Sequence, residues 1–526
     1  MRMSRDFFAS RPDRPLEDNT WMGRLLVLIL HLILFAAAAT PQSGGGTFSP
    51  KDLQEDVRVL REAYETLHPG LYRYNTREQM DRAFDALAAT FASPKSLRDA
   101  YIEYSLFAAR IRCGHTYPNF FNQSKSVAAE LFQSTRRVPF YFRWLGREMV
   151  VIRDFTPDRQ LPPGTVIQSI DGIGATAILD RLLPIARADG ANDAKRVSYL
   201  EVTGDSVYEA FDVYFPLFYT VGERLQLAVR RPGEGPRTIG VASLTYERRI
   251  APIKAREQQR KGGDGPQFEW KILPGGVALL KMPTWALFDS KWDWKQWLNA
   301  RLDEAVAAHA PALILDLRGN EGGQDVGDAI LPRLVARDFP LDAPQRYVRY
   351  RQTPEALRPY LDTWDRSFDD WKAAATPLTG PLPPNLPPVP YFRLIRDDDD
   401  RGGGVVHPRA PRFAGKVILL VDASNSSATF QFAQTVQRHR LGTLIGQPTG
   451  GNRRGINGGA FFFLRLPRSK IELDLPLIAT VPDTAQPDAG LAPDIAVQPT
   501  AAGIARHRDP EFEAALELVG GAPKKP

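Results

Sequence analysis

The sequence predicts a multidomain α/β chain of the α+β kind, and three observations predict it. Residues 49–111 place apolar side chains at three- and four-residue spacing, the period of helices packed on a core. From about residue 138 the pattern changes to short strand-length runs, "VPFYFRW", "EMVVIRDF" and "TVIQSIDGI". From 275 onward strand-like and helix-like stretches alternate, the mark of a layered α/β core. At 526 residues the chain is too long for one ordinary core, so two or three domains are expected.

At the N-terminus, "LLVLILHLILF" (25–35) follows Arg24 and precedes "AAAATPQSGGG". A basic flank, a short apolar stretch and small residues describe a secretory signal peptide, and the apolar stretch is short for a membrane span. The signal would be conventional if translation began at Met22. Residues 1–45 therefore read as a signal peptide, with an uncleaved membrane anchor as the rival, and the protein as exported, periplasmic in a Gram-negative cell. A single cysteine, Cys113, excludes an intramolecular disulfide and a cysteine zinc cluster. No cysteine follows the apolar stretch, which argues against a lipoprotein anchor there.

Residues 46–132 read as a helical domain. Two helices span 49–91 and break at "HPGLY"; a third covers 97–111 and stops at "RCGHTYPNFF" (112–121). Residues 133–250 are β-rich. "LPPGTVIQSIDGIGATAILDRLL" (161–183) has the order turn, strand, tight turn, helix, and 223–244 reads as a hairpin. Together they resemble a PDZ-like module with an unusually long span at 184–222. The α/β core covers 265–505. An amphipathic helix (292–310), the buried strand "PALILDL" (311–317), a Gly-rich loop and a helix (324–337) open it. Residues 340–415, rich in Pro, Trp and Tyr, look like an insertion over the core. Strands at 459–466 and 470–480 and the ending "LAPDIAVQPT" complete it, and 506–526 form a tail. No internal repeat is present.

Lys plus Arg number 67 against 61 Asp plus Glu, a net charge of +6 spread along the chain. No run concentrates the cations as a nucleic-acid footprint would. The acidic run at 396–404 lacks the alternating ligand pattern of a calcium loop and reads as solvated.

Chemistry concentrates in "VDASNSSATF" (421–430), which joins the strand "KVILLV" to a helix. A serine at such a turn projects from the sheet edge beside free backbone N–H groups, which suits a nucleophile whose tetrahedral intermediate needs an oxyanion hole. The same serines could simply cap the helix, the commonest reason to find Ser there. "LILDLRGNEGG" (313–323) is a second strand-loop junction, whose glycines let the backbone approach a ligand. A P-loop is excluded, because no Gly-Lys-Ser/Thr follows.

The ordered pair "ILDLRGNEGG" and "NSSATFQFA…LGTLIGQPTGG", with the ending "GLAPDIAVQPT", resembles the tail-specific (C-terminal processing) and tricorn-core serine proteases. "LHPGLY" and the PDZ-like module are similar to exported members, and the resemblance covers most of the chain from about residue 50. It implies a protease core of crotonase-like type acting on a protein or peptide substrate with neither metal nor nucleotide cofactor. Within the family's Ser-Ala-Ser/Thr pattern the nucleophile is Ser427, with Ser424 and Ser426 as neighbours. The oxyanion donors are the N–H of Ala428 and that of Gly322 or Gly323. One branch of the family uses a lysine just past the "PTxG" turn; Asn452 stands there, and Arg453 and Arg454 stay protonated and cannot act as a base. The tricorn-like branch uses a histidine, and His115 in "RCGHTYPNF" matches its Gly-His-Thr element. Tricorn has a serine just before this histidine, where this chain has Gly114.

The other histidines fit less well. His31 lies in the signal, His68 at a helix break, His309 before a buried strand, His407 in the insertion and His507 in the tail. His439 stands about three turns, roughly 18 Å, along the helix from Ser427. The acid that would orient His115 aligns with Pro487; adjacent Asp488 is the candidate and Asp483 the alternative. A Cys113–His115 nucleophile pair lacks a strand-to-helix elbow. The rival class is a ligand-binding protein on the same scaffold, as in the interphotoreceptor retinoid-binding proteins. The PDZ-like module would present a substrate C-terminus and the insertion would act as a lid. Homo-oligomerisation is left open, and membrane contact is expected only through an uncleaved N-terminal segment.

Overall fold

The computed structural model describes residues 46–261, 266–288, 290–341, 345–395 and 404–520. The signal segment, with His31, and most of the acidic run at 396–404 lie outside the described residues.

Three capped helices open the chain: α1 (Pro50–Leu67), α2 (Arg77–Thr90) and α3 (Leu97–Arg110). Ser49, Thr76 and Ser96 each accept a hydrogen bond from the backbone N–H three residues on, at Asp52, Gln79 and Asp99, so each helix start has a local chemical cause. The break between α1 and α2 holds His68, Pro69 and Gly70, as the sequence pattern requires.

An antiparallel sheet follows, in the order β1 (Phe140–Leu145), β2 (Glu148–Asp154), β3 (Val166–Ile170), β4 (Arg224–Arg230), β5 (Pro236–Ala242), with the short strand Ile173–Gly174 paired to β3. Helix α4 (Ala175–Leu182) packs on it. The long span before β4 contains α5 (Asp193–Tyr199) and α6 (Ala210–Phe218).

The predicted βα alternation builds a six-stranded sheet containing β6 (Glu269–Ile272), β7 (Ala278–Lys281) and β8 (Ala312–Asp316). Helices α7 (Trp294–Ala307) and α8 (Gly327–Leu334) belong to the same stretch. Then come β13 (Lys416–Val421), α9 (Ser427–Arg438), β14 (Thr443–Gly446) and β17 (Ile495–Ala496), giving the order β17-β14-β13-β8-β7-β6. β7, β8, β13, β14 and β17 are mutually parallel, and β8 is buried along its whole length. Apolar runs without alternation are what a sheet covered on both faces demands.

Strands 459–466 and 470–480 do not complete that core. They lie within β15 (Ile456–Arg465) and β16 (Glu472–Val481), which belong to a separate antiparallel sheet. Four strands of the expected insertion join them: β9 (Gln345–Val348), β10 (Leu361–Asp362), β11 (Ala375–Pro377) and β12 (Phe392–Leu394), in the order β10-β15-β16-β9-β12-β11. The insertion is thus built into a sheet instead of lying loosely over the core. Its strands are two to four residues long, too short to show a period. The tail forms α10 (Pro510–Val519), and Phe512, Ala515 and Leu516 pack with Ile314, Ile418 and Ile445 of the parallel sheet.

The apolar interior divides in a way that matters for the site. One cluster joins the N-terminal helices, the β1–β5 sheet and the β15–β16 sheet; a second lies under the parallel sheet and α9. No helix among the described residues is long and apolar enough to cross a membrane.

Candidate active site

The two Gly-rich and Ser-rich junctions of the sequence leave the carboxyl ends of adjacent parallel strands, β8 and β13, where open α/β sheets place their ligand crevice. Asn425 ties them together. Its Nδ2 donates to the carbonyls of Leu317 (2.6 Å) and Asn320 (3.1 Å), and its Oδ1 accepts from the Asp422 N–H at 2.8 Å. Its own carbonyl accepts from Gly450 and Gly451, which docks the "PTGG" turn against the same point. Asp422 adds a bond from the Gly319 N–H at 3.0 Å.

Ser427 opens α9 with φ +53°, the left-handed region that costs a non-glycine residue roughly 1–2 kcal/mol. Such strain is the property of a nucleophile elbow. The capping explanation of these serines does not hold: Ser426 sits at the N-cap, yet its hydroxyl makes no cap bond and donates to the Glu321 carbonyl at 3.2 Å. The first N–H groups of α9 are left without a side-chain cap at the positive end of the helix dipole. Ser427 itself is half-buried.

Gly322 and Gly323 have φ of +99° and +139°. A Cβ at Gly322 would meet the Ala428 nitrogen and Ser427 Cβ, both at 2.9 Å. The Gly322 N–H is taken by Asn320 Oδ1 at 2.9 Å. Gly323 bridges to Trp285 in parallel fashion, with the bonds made by its neighbours: Trp285 N–H to the Gly322 carbonyl and Gln324 N–H to the Trp285 carbonyl. The Gly323 N–H therefore faces away from Trp285.

His115 lies in the turn after α3, closed by a Thr116 N–H to Cys113 carbonyl bond. Its ring is buried and stands 5.9 Å from the Phe461 ring. Burial pulls its pKa well below 6.5; Arg187 and Lys195 push the same way and Glu321 opposes them. His68 braces the turn. Its Nδ1 accepts from the Gly70 N–H at 3.0 Å, so its proton is on Nε2, which donates to Thr116 Oγ1 at 2.8 Å. Cys113 is buried, and burial pushes its thiol up to about 11, so it is no thiolate nucleophile.

The expected acid is elsewhere. Asp488 Oδ1 accepts from Asn452 Nδ2 at 2.7 Å and from the Ala191 N–H at 2.9 Å. His115 Nδ1, the nitrogen an orienting carboxylate would take, is buried without a hydrogen-bond partner. Asp483 is exposed. Asn452, which replaces the lysine of the other branch, is consumed by Asp488 and by the Asp189 carbonyl at 3.2 Å. Of the other histidines, His439 packs on Phe339 at 4.2 Å and His407 pairs with Asp338 at 3.0 Å on the surface.

Sequence reasoning missed four residues of this neighbourhood. Arg187 donates to the Gly114 carbonyl, and Asp189 Oδ1 accepts from the Gly114 N–H at 2.9 Å. Lys195 Nζ donates to Glu321 Oε1 at 2.6 Å and to the Ser424 carbonyl at 3.2 Å. Burial would raise the Glu321 carboxyl, but Lys195 and Arg187 outweigh it and hold it well below the usual range. A cavity of about 120 Å³ is lined by Tyr117 and Arg187 together with Glu321 and Ser424. The one sequence signal for three of these residues was the excess length of 184–222.

Residues 276–497 match the model of peptidase family S41. The fold is similar to that of mature CPAF complexed with lactacystin, at 14% identity and a TM-score of 0.60 over 89% of this chain and 97% of that one. A CPAF mutant (14%, 0.58, 91% and 99%) and mature CPAF (14%, 0.53, 90% and 96%) are similar as well. At that identity the likeness is one of fold. No curated protein matches by sequence. The parallel-sheet core with its paired strand-end loops is thus the part of the chain that is similar to the serine peptidases of family S41.

Proposed function

We propose that the protein hydrolyses peptide bonds through an acyl-enzyme on Ser427, with His115 as general base and acid. The observation that carries this reading is the strained Ser427 at an uncapped helix start, with the glycine loop pressed against it. Ser427 Oγ adds to the scissile carbonyl carbon as its proton passes to His115. The carbonyl oxygen becomes an oxyanion, held by the N–H of Ala428 and that of Gly323, since Gly322 has spent its own on Asn320. His115 then protonates the leaving amine, the C–N bond breaks, and water attacks the ester by the same route in reverse.

Burial keeps His115 neutral and ready to accept a proton. With Nδ1 unpartnered and Asp488 turned to Asn452, the ring is held by its turn rather than by a bonded acid. The apolar stretch at 25–35 supports export, and the β1–β5 sheet with its helix supports a PDZ-like substrate-presenting role.

A fluorophosphonate probe tests the nucleophile. Wild-type protein should be labelled, and Ser427→Ala, with Ser424 and Ser426 intact, should not. Labelling that survives Ser427→Ala sinks the assignment. An unlabelled wild type that leaves peptide libraries uncut favours a ligand-binding role for the same scaffold, the reading that the unpartnered Nδ1 supports.

A further inference from the structure

The His115 turn and the Ser427 elbow belong to different apolar clusters. Cys113 packs with the N-terminal helices, while Ala428 and Phe430 pack under the parallel sheet. Apolar packing is non-directional and sets each half separately. The register between the halves must come from directional bonds across the seam.

One nine-residue segment supplies them. At its start, Arg187 holds the Gly114 carbonyl and Asp189 holds the Gly114 N–H, so both polar groups of the residue before His115 are gripped from the same side. Arg187 is itself fixed, its guanidinium 4.2 Å from the Tyr117 ring centre and 4.8 Å from that of Tyr199. The Gly190 N–H adds a bond to the Arg112 carbonyl at 2.9 Å. In the middle, Asn192 Nδ2 donates to the carbonyls of Thr449 (2.9 Å) and Gly451 (2.7 Å) in the turn docked on Asn425. At its end, Lys195 reaches across the "PTGG" turn to Glu321 and the Ser424 carbonyl. A Cβ at Gly450 would stand 2.9 Å from the lysine stem. A Cβ at Gly114 would stand 3.0 Å from Asp189 Oδ2, so the carboxylate fills the side of the turn where a serine would project.

We propose that residues 187–195 are a clamp that sets the distance between general base and nucleophile, with Arg187, Asp189 and Lys195 as positioning residues; this rests on the Ser427–His115 reading above. None of the three touches the reacting atoms. Lys195 also neutralises Glu321, which adjoins the oxyanion loop. Without the lysine, that half-buried negative charge would oppose a developing oxyanion.

The test uses full-length protein and a cleavable peptide, with kcat, KM and thermal midpoint measured for each variant. Asp189→Ala and Lys195→Met should each lose about 10²-fold in kcat with KM within about threefold, the pattern of misplaced but still substrate-binding groups. Asp189→Asn keeps an acceptor oxygen and should recover about tenfold of what Asp189→Ala loses. Lys195→Met/Glu321→Gln should recover about tenfold over Lys195→Met, because the unpaired charge is gone. Wild-type kcat in both single variants overturns the clamp, as does loss that tracks the thermal midpoint equally in the Asn and Ala variants. A wild type that the fluorophosphonate probe leaves unlabelled overturns the Ser427 reading and the clamp with it, whereas a labelled wild type with indifferent variants overturns the clamp alone.

Discussion

Gly322 is packed against Ser427 so closely that a Cβ on the glycine would stand 2.9 Å from the serine's own Cβ. It would also lie 2.8 Å from the Ser426 carbonyl oxygen. The glycine of "RGNEGG" is required by its neighbour 105 residues later as much as by its own φ of +99°. Gly322→Ala should push the elbow and the oxyanion loop apart. The expected loss is about 10²-fold or more in kcat and about 1–3 kcal/mol of stability, read by peptide turnover together with urea unfolding. A fully active Gly322→Ala protein would contradict the packing.

The pH profile should report the burial of His115. A general base works in its neutral form, and a pKa held well below 6.5 keeps that form present as the pH falls. Activity should persist below pH 6.5 and fail only in stronger acid. Among the described residues, Arg187 and Lys195 depress the pKa and Glu321 raises it. The acid limb of kcat/KM is the measurement; a limb at or above 6.5 would contradict a buried base.

His68 should make the fold acid-sensitive. Its pKa is lowered from 6.5 to about 3 by burial, and Nδ1 already accepts from Gly70. Below 6.5 the unfolded chain binds a proton that the folded chain refuses until about 3. The stability contribution is therefore complete above 6.5 and is lost as the pH falls through that window, by about 1.4 kcal/mol per pH unit. Glu201, Glu209 and Asp474, each raised to about 7 by desolvation, take up protons in the folded state first and so add stability as the pH falls. The comparison of His68→Gln with wild type cancels them. Urea unfolding between about pH 6.5 and pH 4 should show a shallower acid-side slope in the variant.

Asp212 should be expensive to remove. Arg249 grips it through Nε (2.7 Å) and a terminal nitrogen (3.1 Å), and Arg137 stands 4.0 Å away, all three nearly buried. Asp212→Ala leaves two buried guanidinium groups without their anion, at a cost of about 3–5 kcal/mol in urea unfolding. A change under about 1 kcal/mol would mean that water already compensates these charges.

Local chemistry made much of this protein legible in its sequence. The capped helices of the first domain follow from Ser49, Thr76 and Ser96, and the parallel sheet from apolar runs too uniform for any half-exposed strand. The Ser-rich turn and the glycine loop were visible as strand-to-helix junctions because strand, turn and helix signals are short-range. The β9–β12 strands were not, since two to four residues carry no period and gain their order only by pairing with β15 and β16.

What remained was a matter of contacts between distant segments. The family resemblance offered Asp488 as the orienting acid, with Asp483 as the alternative, but the fold turns Asp488 to Asn452 and Ala191. The same fold brings Arg187, Asp189 and Lys195, from a span with no motif, onto Gly114, Glu321 and Ser424. Ser427, Gly322 and His115 became candidates from the sequence itself, through short motifs that carry a family resemblance. Their surroundings were decided by the tertiary structure, because a hydrogen bond is satisfied by whichever buried group lies within about 3 Å, wherever that group stands in the chain.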